Sequence, residues 1–133
     1  MSAIAGVEMP VAADVTHAVD PEIATAAFRV FEEALTNAVR HAHATCISTT
    51  VRTTRRGRLM LYVNDNGVGI EQSRLTSRSL GLLGMSERAR KLGGSVRISS
   101  RVGHGTRVLL ALPLESEPAG GTRRVARGKA RQA

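Results

Sequence analysis

Tryptophan is absent from this chain of 133 residues, which holds one Tyr and two Phe. Any core must therefore be aliphatic. Cysteine occurs once, as Cys46, so an internal disulfide is excluded and a reducing compartment is permitted. Long apolar runs are missing too. The longest, Val108 to Leu114, falls far short of the roughly 20 residues that span a bilayer. The N-terminus lacks a signal-peptide pattern. A soluble, cytoplasmic domain without membrane contact of its own is expected, and the length favours one domain. No internal repeat is visible. With 42% hydrophobic residues, wholesale disorder is not expected.

Lysine is scarce, with two against seventeen Arg. The formal charge of +8 is unevenly spread: residues 118–133 carry +5 without any acid, and residues 1–117 carry only +3. That Gly/Ala/Arg-rich end has no apolar periodicity, and such ends are usually flexible. It could attract nucleic acid, but aromatic or base-reading groups are not interleaved with the charge. A nucleic-acid partner is not expected.

Three regions are expected: an N-terminal segment 1–19 in which Val7 to Val15 can hold one edge strand, a domain over 20–114, and a basic tail over 115–133. Asp20-Pro21-Glu22 reads as a helix start, with an N-cap acceptor, a Pro where no N–H is needed and an acid near the positive dipole end. This helix should run to about Ala42. Ala27, Val30, Phe31, Ala34, Leu35, Ala38 and Val39 recur at three- and four-residue spacing and form its apolar face. Residues 46–54 and 58–64 alternate around Arg55-Arg56-Gly57 as a hairpin. A polar loop, Glu71 to Leu80, leads to a helix over Leu82 to Leu92 closed by Gly93-Gly94. Val96 to Arg101 and Thr106 to Pro113 form a last strand pair. The order β, α, β, β, α, β, β implies an α/β fold, a two-layer α/β sandwich with helices on one face of the sheet.

Four short motifs carry chemistry. In the first helix Glu33, Asn37 and His41 lie at successive four-residue steps, with Arg29 and Arg40 beside them. The spacing places this stripe opposite the apolar face. A carboxamide oxygen suits a hard cation such as Mg²⁺, a nearby carboxylate can orient a nucleophile or bound water, and Arg neutralises phosphate charge. The same stripe would also serve as the polar outer face of an ordinary helix. Asp65-Asn66-Gly67-Val68-Gly69 follows a strand. Its glycines permit close approach of a flat ligand, and Asp65 offers an acceptor to an exocyclic amine. A plain turn has this composition as well. Gly81-Leu82-Leu83-Gly84-Met85 opens a helix and can present N–H groups to phosphate, or simply hinge a loop into the helix. The preceding segment, Glu71 to Leu80, could be a lid. Gly103-His104-Gly105-Thr106 is either a hairpin loop or a means of bringing a Thr hydroxyl under the same site.

In this order, over residues 20 to 114, the motifs resemble the catalytic ATP-binding domain of bacterial two-component sensor histidine kinases. That domain belongs to the superfamily shared with gyrase, the MutL mismatch-repair protein and the ninety-kilodalton chaperone. FEEALTNAVRHA looks like the family's N box, VNDNGVGI and GLLGMSERARKLGG like its two glycine boxes, and GHGT like its last motif. EALTNAVRHA, the short lid and the GLLGM turn resemble the nitrate-sensor-type subfamily most closely. The resemblance implies the Bergerat-type ATP-binding fold with a mixed sheet, and ATP with Mg²⁺ as cofactors. It assigns Asn37 as Mg²⁺ ligand, Asp65 as acceptor for the adenine amino group, and Gly67 and Gly69 as admitting the ring. Gly81, Leu82, Gly84 and Met85 would shape the phosphate side, Thr106 would support Asp65 or a water, and Arg40 and His41 would lie near the phosphates. Glu33 matches the general base of ATP-hydrolysing relatives; in a kinase the base can instead come from the partner domain.

No Walker A sequence is present, so Mg²⁺ and helix-end N–H groups must do what a P-loop Lys does elsewhere. Phosphoryl transfer asks chiefly for positioning and charge neutralisation, which suits a site without its own covalent nucleophile. None of His17, His41, His43 and His104 lies on a helix that could serve as a phosphoacceptor hairpin. The expected partner is therefore a His-bearing dimerisation domain, in the same parent chain or a separate subunit, with a response regulator reached indirectly. The parent kinase can be membrane-anchored. Two other readings stand beside this one: a serine protein kinase of the anti-sigma-factor type in the same superfamily, and a non-catalytic nucleotide- or nucleic-acid-binding module using the Arg-rich tail.

Overall fold

Alternation builds the sheet. In β5 (Arg58–Asp65) Leu59, Leu61 and Val63 are buried, and in β7 (Thr106–Pro113) Val108, Leu110 and Leu112 are. The antiparallel register sets Leu59 opposite Leu112, Leu61 opposite Leu110 and Val63 opposite Val108. Three aliphatic cross-strand pairs thus stack on one face. The computed structural model describes residues 2–4, 6–71 and 81–115; the expected lid, apart from Glu71, and the basic tail, apart from Glu115, lie outside them.

The remaining strands are β1 (Ser2–Ile4), β2 (Val7–Met9), β3 (Val11–Asp14), β4 (Ile47–Thr53) and β6 (Ser95–Ser100). The main sheet runs β3-β4-β5-β7-β6, antiparallel except for β3, which lies parallel to β4. The expected edge strand over Val7 to Val15 is divided at Pro10, which has no N–H to donate. Its first part pairs back with β1 as a hairpin, and its second, β3, takes the edge. Val7 and Met9 are buried in the core.

Helix α1 (Pro21–Thr36) connects β3 to β4, so β3-α1-β4 is a parallel crossover unit. Pro21 opens the helix as expected, although the Asp20 side chain makes no capping bond to it. The buried side of α1 is Ile23, Ala26, Val30 and Ala34. This corrects the expected face, since Phe31, Leu35 and Val39 are only half-buried. Small alanines let the helix axis approach β5 and β7, which rotates the bulkier residues to its flanks. Phe28, 56% exposed, and Phe31 turn instead toward an apolar groove of about 450 Å³ beside Val11 and Val51.

A single hydrophobic cluster joins α1, α2 (Leu82–Lys91) and the sheet. Its buried members among the described residues are aliphatic without exception. Fully burying each Leu, Ile or Val contributes roughly 1.5–3 kcal/mol. The end of α2 follows the sequence expectation closely. Gly93 has φ 85°, its N–H donates to the Arg90 carbonyl, and the Gly94 N–H donates to Ala89. These two bonds make a Schellman motif. No helix among the described residues is long and apolar enough to cross a membrane.

Candidate functional site

The first helix does not stay α-helical to its end. After Thr36 it widens into a π-helical turn, Asn37–His41, in which the Ala42 N–H donates to the Asn37 carbonyl at 3.0 Å. Widened turns of this kind are rare and concentrate at functional sites. Asn37, the first residue of the turn, is 9% exposed, and its neighbour Ala38 is fully buried. The Glu33–Asn37–His41 stripe therefore does not oppose the apolar face, as the spacing implied. It runs along the border of the buried side, because Asn37 follows Val30 and Ala34 at the four- and three-residue steps of the buried face.

Asn37 and His41 meet Asp65 and Thr106 around one small cavity of about 20 Å³. Val63, Ile70, Leu82 and Val108 supply apolar walls. The sheet explains the convergence: Asp65 ends β5, Thr106 begins β7, and the two are direct register partners. The volume is close to that of one water-sized sphere. A more open recess of about 330 Å³ shares Asp65 and Thr106 with it and is also lined by Ser100.

The Asp65 carboxyl is held by backbone. Its Oδ1 accepts from the Gly67 N–H at 2.8 Å, and the Thr106 N–H donates to it as well. Burial nevertheless pushes its pKa above the ordinary Asp value of 3.8, outweighing those two donors, which pull it down. An acceptor that is partly stripped of water and already oriented is suited to a ligand N–H group.

Two further side chains complete the site without having drawn attention in the sequence. Asn66 braces the glycine turn against the exit of the first helix. Its Oδ1 accepts from Thr45 N and Cys46 N at 2.9 Å each, and its Nδ2 donates to Thr45 Oγ1 at 3.0 Å. Ser100 accepts from Ile70 N at 2.7 Å and lies 2.7 Å from Thr106 Oγ1. Asn66 had only its place in a turn-like Asn-Gly pair as a signal. Ser100 had none, because its partners come from two other segments of the chain.

The other anticipated residues divide. Leu82 lines the cavity and is buried. Met85, on the next turn, is fully buried in the core. Gly84 faces open space, with nothing near the position of a Cβ. Arg40 is exposed and does not line the cavity. Arg29 does not line the cavity and approaches Glu32 at 3.9 Å on the surface. Gly67 and Gly69 have reasons within the protein: a Cβ on Gly67 would strike Ala42, and one on Gly69 the Arg101 carbonyl and Val102 Cα. Among the described residues no three His, Cys, Asp or Glu side chains cluster to hold a metal ion. The donor set at Asn37 fits a Mg²⁺ that brings phosphate and water ligands with it, and does not fit a self-sufficient metal centre.

Residues 22–116 match the profile of the family described as histidine kinase-, DNA gyrase B- and HSP90-like ATPase. The chain belongs to this ATPase family. Within it, the chain is 36% identical over 97 residues to the signal transduction histidine-protein kinase/phosphatase DegS of Bacillus subtilis, covering 71% of this chain and 25% of that protein. It thus spans about a quarter of that relative's length. The histidine kinase domain of the Erythrobacter litoralis EL346 blue-light-activated histidine kinase superposes with a TM-score of 0.71 at 26% identity, covering 84% of this chain and 53% of that one. The ATP-binding domain of PrrB from Mycobacterium tuberculosis shares the fold, with a TM-score of 0.64 at 22% identity, covering 85% and 84% of the two chains. The catalytic ATPase fold of histidine kinases is therefore the architecture around the Asn37–Asp65–Thr106 cavity.

Proposed function

We propose that this chain is the ATP-binding catalytic domain of a sensor histidine kinase, and that it transfers the γ-phosphoryl group of Mg-ATP to a His on a dimerisation domain, for relay to a response regulator. The observation that carries the reading is the convergence of Asn37, Asp65 and Thr106 on one cavity, within a chain of this ATPase family. The unit is taken as residues 20–114, followed by a basic tail. The nitrate-sensor-type subfamily is the branch its motifs fit best, and a cytoplasmic setting suits its chemistry.

Asp65 accepts from the adenine amino group, and Thr106 supports that contact. Asn37 holds Mg²⁺ through its carboxamide oxygen. When bound, Mg²⁺ neutralises charge on the phosphates and leaves the in-line displacement a matter of positioning. Gly81, Leu82 and Gly84 present the start of α2 to the phosphates, with the N–H groups and positive dipole of a helix N-terminus. Arg40 and His41 add cationic or donor groups nearby. Glu33 orients the nucleophile, or leaves that task to the partner domain that carries the acceptor His.

The test is a phosphotransfer assay with γ-labelled ATP and a matching His-bearing dimerisation domain. The reading expects label on the acceptor that is lost in acid and stable in base, and no label with Asn37→Ala. Full transfer by Asn37→Ala would overturn the metal assignment. Acid-stable label on a different protein would point to a serine kinase of the same superfamily. Nucleotide binding without any transfer, accompanied by salt-dependent DNA binding that disappears when residues 118–133 are removed, would point to a non-catalytic module.

A further inference from the structure

The helices pack on one face of the main sheet and leave the other to the residues that alternate with the core. At the centre of that second face lie Met60 and Tyr62 of β5, with Ala111 and Leu109 as their register partners in β7. All four are half-buried. An exposed Arg stands on each side of this apolar square. Arg52 is paired with Met60 and Arg97 with Leu109, while Arg58 and Arg107 continue the two central strands at opposite ends. The acids nearest by register, Glu8 and Asp14, lie at the outer edge beyond β4. None of the four Arg is paired with an acid among the described residues. Arg107 is also held in place, since its Nε donates to Asn64 Oδ1 at 2.8 Å and its two terminal nitrogens are left for a partner.

We propose that this open face is a docking surface for an acidic partner protein, whose apolar side chains cover Met60, Tyr62 and Leu109 while its carboxylates meet the surrounding Arg. An apolar centre within a charged rim is the anatomy of a protein interface, and the sign of the rim selects the partner. A second copy of the chain would set Arg against Arg across a two-fold axis. A single-stranded nucleic acid is held by successive aromatic platforms, and Tyr62 is the one aromatic on this face. A bilayer takes protruding apolar side chains, whereas these are sunk between their neighbours. With Arg107 already anchored, less side-chain freedom is lost when a carboxylate arrives.

Tyr62 supplies the readout, because the chain has no Trp and no other Tyr. The probe is a synthetic amphipathic helix with Leu on one face and Glu flanking it, free of Tyr and Trp. Titrated into the full chain, it should change Tyr62 emission, and its Lys-flanked counterpart should not. Arg52→Glu/Arg97→Glu should weaken binding about 10-fold, whereas Arg90→Glu, exposed on α2, should change it by less than about 2-fold. If the melting temperature shows that the Glu variant does not fold, Arg52→Gln/Arg97→Gln should give the same ranking with a smaller loss. No binding, or binding that leaves Tyr62 emission unchanged, would overturn the proposal, the latter placing the peptide on the basic tail. Equal weakening by Arg90→Glu would reduce the attraction to net charge and overturn it too. So would phosphatidylglycerol vesicles or single-stranded DNA that perturb Tyr62 more strongly than the peptide, or a dimer in sedimentation that Arg52→Glu/Arg97→Glu dissociates.

Discussion

The Glu33 carboxylate lies across the start of α2, with Oε2 occupying the space that a Cβ on Gly81 would need. Two motifs far apart in the sequence are thus in direct contact, the acidic position of the first helix and the first glycine of the second. The contact sets Gly81 apart from the glycines of the preceding turn. At Gly81 the obstructing atoms end a flexible side chain, whereas at Gly69 they are the Arg101 carbonyl and Val102 backbone. Both have φ in the left-handed region, 69° and 81°. Gly81→Ala should cost about 1–2 kcal/mol, the penalty of that conformation for an L side chain. Gly69→Ala should exceed the roughly 3 kcal/mol of an ordinary substitution. Urea denaturation of both variants decides it, and equal losses would refute the packing explanation.

Gly84 offers a separation of stability from binding. It sits inside α2 with open space where a Cβ would go. Gly84→Ala should therefore stabilise the fold by roughly 0.5–1 kcal/mol through helix propensity. If the phosphates approach α2 at this point, the same methyl group should weaken Mg-ATP binding. A higher melting temperature with undiminished affinity would remove Gly84 from the phosphate side of the site.

Asp65 should make stability fall with rising pH over a defined window. Its folded-state pKa lies above the ordinary 3.8 because of burial, so between those two values the native state holds more protons than the unfolded state. Its contribution is thus most favourable below the unfolded pKa and is lost as pH rises through the folded one. Asp65→Asn should flatten this part of the stability–pH curve and abolish adenine-nucleotide binding. Denaturation midpoints collected from pH 3.5 to 7, unaltered chain against variant, read the difference directly. A curve that keeps its slope in the variant would assign the proton uptake elsewhere.

Asn66 should matter more than an exposed turn residue ordinarily does. Its side chain makes three hydrogen bonds to Thr45 and Cys46, at about 0.5–1.5 kcal/mol each. Asn66→Ala should destabilise by roughly 1–3 kcal/mol, the lower part of that sum, because the bonds are solvent-accessible. Asn66→Asp keeps the acceptor for both N–H groups and should recover most of the loss. If Asp behaves like Ala in chemical denaturation, the brace is not what Asn66 provides.

Much of this architecture was legible because its signals are local. Alternation in 58–64 and 106–113, Pro21 at the first helical position and Gly93-Gly94 at the end of α2 each act within a few residues. The site was legible as a list of motifs and less so as a geometry. The π turn at Asn37–His41 depends on how the helix seats against the sheet, and no spacing within NAVRH distinguishes it from one more α turn. The parallel pairing of β3 with β4 requires α1 to cross between them, a long-range choice that four exposed residues at an edge do not encode. Ser100 was invisible for a similar reason, since its partners Ile70 and Thr106 become neighbours only when three segments have assembled.

The central pairing of β5 with β7 has a kinetic consequence. Asn64 and Arg107, bonded across it, are 43 residues apart in the chain, so closing this ladder carries a loop-closure cost that the local hairpins do not. Asp65 and Thr106 come together only when β5 and β7 pair. A nucleotide can then recognise the finished sheet but nothing that precedes it on the folding path. ATP should accordingly retard unfolding while leaving the refolding rate nearly untouched, so that occupancy protects the domain by prolonging the life of its native state.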